Sequence, residues 1–98
     1  MDVFVARAGI HVYNGFSPNG DGINDDLVID GLENFPKHDL TIYNPNGIEV
    51  YHTTQYKNDW GGKWTIGGKE KLLIDGTYYY VLLDGEGQKH TGYIQIQR

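Results

Sequence analysis

Apolar and polar residues alternate along almost the whole chain, and the runs are cut by turns rich in glycine, asparagine, aspartate and proline. Ile10-His11-Val12-Tyr13 is β-branched and aromatic and breaks at Asn14-Gly15. Leu27-Val28-Ile29 is a short apolar run closed by Asp30-Gly31. Leu40-Thr41-Ile42-Tyr43 and Ile48-Glu49-Val50-Tyr51-His52 each alternate with a period of two, the signature of strands with one buried face. The loop Asn44-Pro45-Asn46-Gly47 between them predicts a hairpin. Gly76 to Leu83 is apolar or aromatic on both faces, which predicts a central strand covered on both sides. Asp84-Gly85-Glu86-Gly87 then turns the chain into Lys89–Gln97, where Ile94 and Ile96 face one way and Tyr93, Gln95 and Gln97 the other. Only Lys69–Ile74, fenced by Gly67-Gly68 and Asp75-Gly76, is free enough of breakers to predict a turn of helix.

About seven short strands at roughly 8–12 residue spacing predict an all-β fold, an immunoglobulin-like sandwich of antiparallel sheets. Asp75-Gly76-Thr77-Tyr78 has a likeness to the tyrosine corner that opens a late strand of such sandwiches. The chain reads as one domain over residues 1–98. Residues 1–9 are an edge strand, with Val3–Val5 as its candidate, or a linker.

Composition narrows the function. The net charge of −5 and the absence of a Lys/Arg run argue against nucleic acid and anionic membrane surfaces as partners. No apolar stretch approaches the roughly 20 residues that cross a bilayer as a helix. There is no cysteine, so neither a disulfide nor a thiolate is available. Ser17 is the only serine and stands directly before Pro18, without the glycines of a nucleophile elbow. His11, His38, His52 and His90 are scattered through different elements, and no carboxylate pair is singled out for acid–base work. The chain does not read as an enzyme.

The stretch Phe16–Asp26 holds candidate chemistry of another kind. Asn19, Asp21 and Asp25 are spaced around Gly20, Gly22 and Ile23, so the loop offers oxygen ligands on a backbone able to curl tightly, as calcium requires. The candidate ligands are Asn19, Asp21, the Ile23 carbonyl, Asp25 and Asp26, with Asp59 as a distant contributor. Laid on the EF-hand pattern, Ser17 and Val28 fall at positions one and twelve and cannot close the shell, so this is not an EF-hand. The other reading is an Asx-type turn in which the Asn19 and Asp21 side chains cap backbone amides with no metal. Two readings also stand for Trp60 and Trp64, near Tyr51 and Tyr56. Exposed, they would stack on sugar rings; buried, they would supply the large apolar area a small cysteine-free core needs.

Taken together, Phe16–Asp26, Leu40–Tyr51, Asn58–Gly62, Gly76–Leu82 and Gly92–Arg98 resemble one family. It is the gliding-motility-associated C-terminal domain, the type B sorting domain of proteins exported by the type IX secretion system in Bacteroidetes. The resemblance spans Ile10 to Arg98 and rests on five motifs in the family's order and spacing. Two departures stand out. The family's Asn-Arg-Trp-Gly turn is Asn44-Pro45-Asn46-Gly47 here, and Trp60-Gly61-Gly62 has glycine where an acid or amide is usual. The resemblance implies a domain at the C-terminus of a larger surface or secreted protein that directs its N-terminal cargo through the periplasm and across the outer membrane. It also implies a surface that the export machinery grips, without membrane insertion. The last hairpin would form that surface with the Asn19 loop, through Gly76, Thr77, Tyr78, Tyr80, Gly92, Tyr93, Ile94, Ile96 and Arg98. The rival reading is a cell-surface module, calcium-stiffened and adhesive or carbohydrate-binding.

Overall fold

The computed structural model describes residues 9–20, 22, 25–66 and 69–98. A five-stranded sheet runs in the order β2 (Gly15–Phe16), β9 (Lys89–Ile96), β8 (Gly76–Leu83), β4 (Asp39–Tyr43), β5 (Glu49–Thr53). Facing it are two antiparallel pairs, β1 (His11–Val12) with β3 (Ile29–Asp30), and β6 (Lys63–Ile66) with β7 (Lys69–Leu72). The result is an all-β, immunoglobulin-like sandwich. The core between the layers holds Leu27, Ile29, Leu40, Ile42, Leu82, Ile94 and Ile96, all nearly or wholly inaccessible to solvent.

The two predicted hairpins form in register. β4 pairs with β5 from Leu40↔Thr53 to Tyr43↔Glu49, with a bulge that leaves Val50 unmatched but buried. Asn44 closes the tip by itself. Its side-chain oxygen accepts the amides of Asn46 and Ile48 at 2.9 and 3.0 Å, so the turn forms without the arginine and tryptophan of the family pattern. β8 pairs with β9 from Gly76↔Ile96 to Leu83↔Lys89 without a shift. Gly92 sits directly under the Tyr80 ring, where a Cβ would come within 2.8 Å of it, so the strand is glycine at the one place an aromatic lies across it.

Four expectations are corrected or refined. Lys69–Leu72 is a strand: its lysine, glutamate and leucine favour a helix in isolation, but pairing with β6 overrides propensity in an element whose side chains are all exposed. The sandwich is not wholly antiparallel, because β2 runs parallel to β9. The chain achieves this by changing sheets at Tyr13-Asn14: Tyr13 N–H donates to the Val28 carbonyl in one layer, and the Asn14 carbonyl accepts from Gln95 in the other. β8 is central in its sheet but not covered on both sides, since Tyr79 and Leu83 are 48% and 44% exposed. Finally, Val3–Val5 lies outside the described residues.

The tyrosine-corner likeness is realised. The Tyr78 hydroxyl donates to the Ile74 carbonyl at 2.8 Å, tying the start of β8 to the chain four residues upstream. At the far end of the same strand, Asp84 is buried and its carboxylate accepts the amides of Glu86 and Gln88 at 2.7 and 3.1 Å. Burial pushes its pKa up, but those two amides and neighbouring His90 outweigh burial and hold it below the ordinary 3.8. A depressed folded pKa means that the contribution of Asp84 is complete above the ordinary value and is lost as the pH falls through the folded one. Wild type is therefore expected to melt higher than Asp84→Asn at neutral pH, with the difference shrinking below about pH 4. Thermal melts across that range check this; a difference that does not depend on pH would refute the turn's reliance on the ionised carboxylate.

Candidate functional site

The Phe16–Asp26 loop is anchored at its start by β2 and at its end by the Asn58–Gly61 segment. Gln97 N–H donates to the Phe16 carbonyl at 3.1 Å, holding the loop beside the C-terminal strand. Leu27 N–H donates to the Trp60 carbonyl at 3.0 Å, and Ile29 N–H to the Asn58 side-chain oxygen at 2.9 Å. Within the loop, Asp25 turns back on the chain: its two oxygens accept the amides of Gly20 and Gly22 at 3.0 and 2.7 Å. Asp25 thus caps amides three and five residues before it, which is not an Asx turn, whose oxygen accepts from two residues ahead. Asp21 and Ile23 lie outside the described residues. Among the described residues no group of three histidine, aspartate or glutamate side chains could hold a metal. Asn19, Asp25 and Asp26 by themselves do not form a calcium shell, which takes at least six oxygens.

Asp26 faces the other way, toward Gly61. A Cβ at Gly61 would lie 3.3 Å from the Asp26 Oδ1, so the acid or amide usual in the family would crowd a carboxylate here, and glycine fits. Asp26, Asp59 and Glu70 line a cleft of about 330 Å³ with Tyr51, Trp60 and Lys63. Among the described residues no serine, cysteine or histidine lines it.

Trp60 does not present its face to a sugar. It is 3% exposed, stacks on Tyr51 with ring centroids 5.4 Å apart, and meets Phe16 edge-on at 5.7 Å. Its indole N–H donates to the Lys63 carbonyl at 2.9 Å. Trp64 is half-buried against the same core, so a pair of exposed tryptophans does not form. The ring area goes to the core because one small sandwich has few other large apolar side chains to fill it.

Next to Trp60 lies a residue whose role spacing did not reveal. Tyr56 is buried, and its hydroxyl donates to the Leu27 carbonyl at 2.6 Å while accepting the Trp60 amide at 3.1 Å. Burial raises its pKa far above the ordinary phenol value, so the proton stays on the oxygen. His38, also buried, supports it. Its Nδ1–H donates to the Phe35 carbonyl at 2.7 Å, and its Nε2 accepts the Tyr56 amide at 2.8 Å. The other histidines do not converge with it: His52 pairs across the strands with Asp39 at 3.0 Å, and His90 faces Asp84 at 3.7 Å.

The candidate docking residues of the last hairpin divide sharply. Tyr78, Ile94 and Ile96 point into the core and are at most 3% exposed, so their side chains shape the strands and are not presented to a partner. Gly76, Thr77, Tyr80 and Gly92 are half-buried, and Thr77 donates to the Gln95 side chain at 2.8 Å. Tyr93 is 52% exposed. It pairs with Tyr79, which pairs with Tyr43, so three tyrosines cross three adjacent strands on the outer face. Arg98 is a clasp. Its guanidinium donates to the Leu73 and Gly62 carbonyls and pairs with Asp75, and its own amide donates to the Asp75 carboxylate at 3.1 Å. It joins the end of β9 to both flanks of the β6–β7 hairpin. A Cβ at Gly62 would meet Arg98, Ile96 and Pro18, so the start of the Asn19 loop and the chain's last residues do come together.

The chain matches one family model, the CHU_C type IX secretion signal domain, over residues 10–96. No curated protein and no solved structure matches it. Among the described residues no helix is long and apolar enough to cross a membrane.

Proposed function

The chain belongs to the type IX secretion signal domain family, and from that premise we propose how it works: as a folded handle that commits an N-terminally attached cargo to export. The match over residues 10–96 carries this reading. Export to the cell surface or release is what the family signal serves, and it is not an enzyme family. The fold supports a handle for two physical reasons. Its folded state is held by a cysteine-free core together with buried polar locks at Tyr56, Tyr78 and Asp84, so it needs no disulfide. Its last hairpin keeps an exposed aromatic face, which is the kind of surface a partner recognises. The contacts we assign to the export machinery are on that hairpin, with the Pro18 end of the loop beside them.

The test is a fusion of residues 1–98 to the C-terminus of a fluorescent protein carrying a periplasmic signal peptide, expressed in a bacterium with a type IX system. The fluorescence is expected on the cell surface or in the medium, and in the periplasm when the secretion system is deleted. Cargo held in the periplasm of the intact strain would overturn the reading.

A further inference from the structure

β9 carries an unused hydrogen-bonding edge. It pairs with β8 along its full length, Lys89 to Ile96, but on its other side β2 covers only Gln95 and Ile96. Gln95 and Gln97 send their amides outward, to the Asn14 and Phe16 carbonyls at 2.7 and 3.1 Å. Strand alternation therefore turns the amides and carbonyls of Lys89, Thr91 and Tyr93 outward as well. Among the described residues none of these outward groups has a backbone partner. Proteins normally blunt such an edge with proline, a bulge, a run of charge or a covering loop. Lys89–Tyr93 has no proline and no register shift, and its one charge is Lys89 at the end.

We propose that this edge of β9, Lys89–Tyr93, takes an extended segment of a partner polypeptide as an added strand, on the side of β9 away from β8. The inference rests on the sorting reading above and names the partner's chemistry: a main chain in β conformation, neutral or acidic in its side chains. Only another extended backbone offers donors and acceptors at the spacing of Lys89, Thr91 and Tyr93. The charge requirement follows from the sequence. Residues 87–97 contain Lys89 and no carboxylate, while Arg98 beyond them is already paired with Asp75. β2 already pairs with β9 in parallel and holds the positions at Gln95 and Ile96, so the incoming strand stops short of them, about five residues long. Its outward side chains would lie beside Tyr93 and the tyrosine row that continues through Tyr79 to Tyr43.

A second copy of this chain fits poorly. The antiparallel register that pairs all of Lys89–Tyr93 with itself centres on Thr91. Both copies would bring Lys89 and no carboxylate to that joint, so the charge complement is missing.

Thr91→Pro removes one outward amide and sets a ring on the edge, while the amides that bond to β8 are untouched; proline is tolerated on edge strands in this orientation. In the fluorescent fusion, Thr91→Pro is expected to lower the exported fraction about tenfold, whereas Thr91→Ala, which keeps the amide, exports like wild type. Thermal melting of the purified variants verifies that each is folded. Folded Thr91→Pro exported as well as wild type would overturn the edge and leave the sorting reading intact. Export lost equally in Thr91→Ala would mean that the hydroxyl is read and not the backbone, which also overturns it. If Thr91→Pro does not fold, Lys89→Pro, at the strand's first residue, takes its place under the same criteria. Failure of the wild-type fusion itself would instead sink the sorting reading.

Discussion

Trp60→Ala is expected to destabilise the domain by about 3–5 kcal/mol, the largest effect of any single substitution considered. The indole is packed between Tyr51 and Phe16, bonded to the Lys63 carbonyl, and nearly solvent-free. Its removal opens a cavity among side chains from both layers and leaves the Lys63 carbonyl without that donor. Small domains have a total stability of about 5–15 kcal/mol, so the variant would sit near the unfolding threshold at ambient temperature. Thermal melting would show a fall of roughly 15–30 °C for a chain of this size. Trp64→Ala is the companion measurement, with a smaller loss because Trp64 is only partly buried. A Trp60→Ala loss under about 1 kcal/mol would mean that the ring does not fill the core.

Tyr56→Phe is the second large effect, and it comes from one oxygen atom. The ring is kept, so packing is nearly unchanged. What is lost is the bridge between the Leu27 carbonyl and the Trp60 amide, both then buried without that partner. Leaving a buried donor or acceptor unsatisfied costs about 1–3 kcal/mol, so the expected loss is about 2–4 kcal/mol. The comparison is Tyr78→Phe, which removes a single bond, to Ile74, and is expected to cost about 1 kcal/mol. Urea denaturation of the two variants with matched slopes checks the ranking. Equal losses would show that the Tyr56 hydroxyl does not act as a hub.

Both expected effects converge on the segment Asn58–Gly62. It functions as a substitute strand: Trp60 supplies its carbonyl to Leu27, Asn58 supplies its side chain to Ile29, and Tyr56 closes the pair. The second layer would otherwise leave the inner edge of Leu27–Ile29 unpaired. The segment holds this layer together, and its tryptophan is consumed in doing so.

Legibility followed the reach of the interactions involved. The β4–β5 and β8–β9 hairpins were readable because alternation and a turn lie within one short segment, and both form where the pattern places them. The Tyr78 corner was readable for the same reason, its partner Ile74 being four residues away. β7 was not, because Lys69–Leu72 exposes every side chain and so leaves no buried face to imprint a period. β2 was not, because two residues carry no period at all and their partner β9 lies at the opposite end of the chain. Which side chains of the last hairpin reach the surface was only partly readable: Ile94 and Tyr78 pack inward, and the exposed outer row runs through Tyr43 and Tyr79 to Tyr93.

By itself the sequence determined the all-β class, both principal hairpins and the family, since those depend on local period, turn chemistry and motif order. Only the tertiary structure decided that Trp60 is core and not a sugar platform, and that Tyr56 and Arg98 are locks. The reason is common to all of these. Whether an aromatic ring, a hydroxyl or a guanidinium faces solvent depends on segments 20 to 40 residues away, such as Leu27 over Tyr56 and Gly62 over Arg98, separated by 29 and 36 positions. No local pattern encodes a partner at that distance.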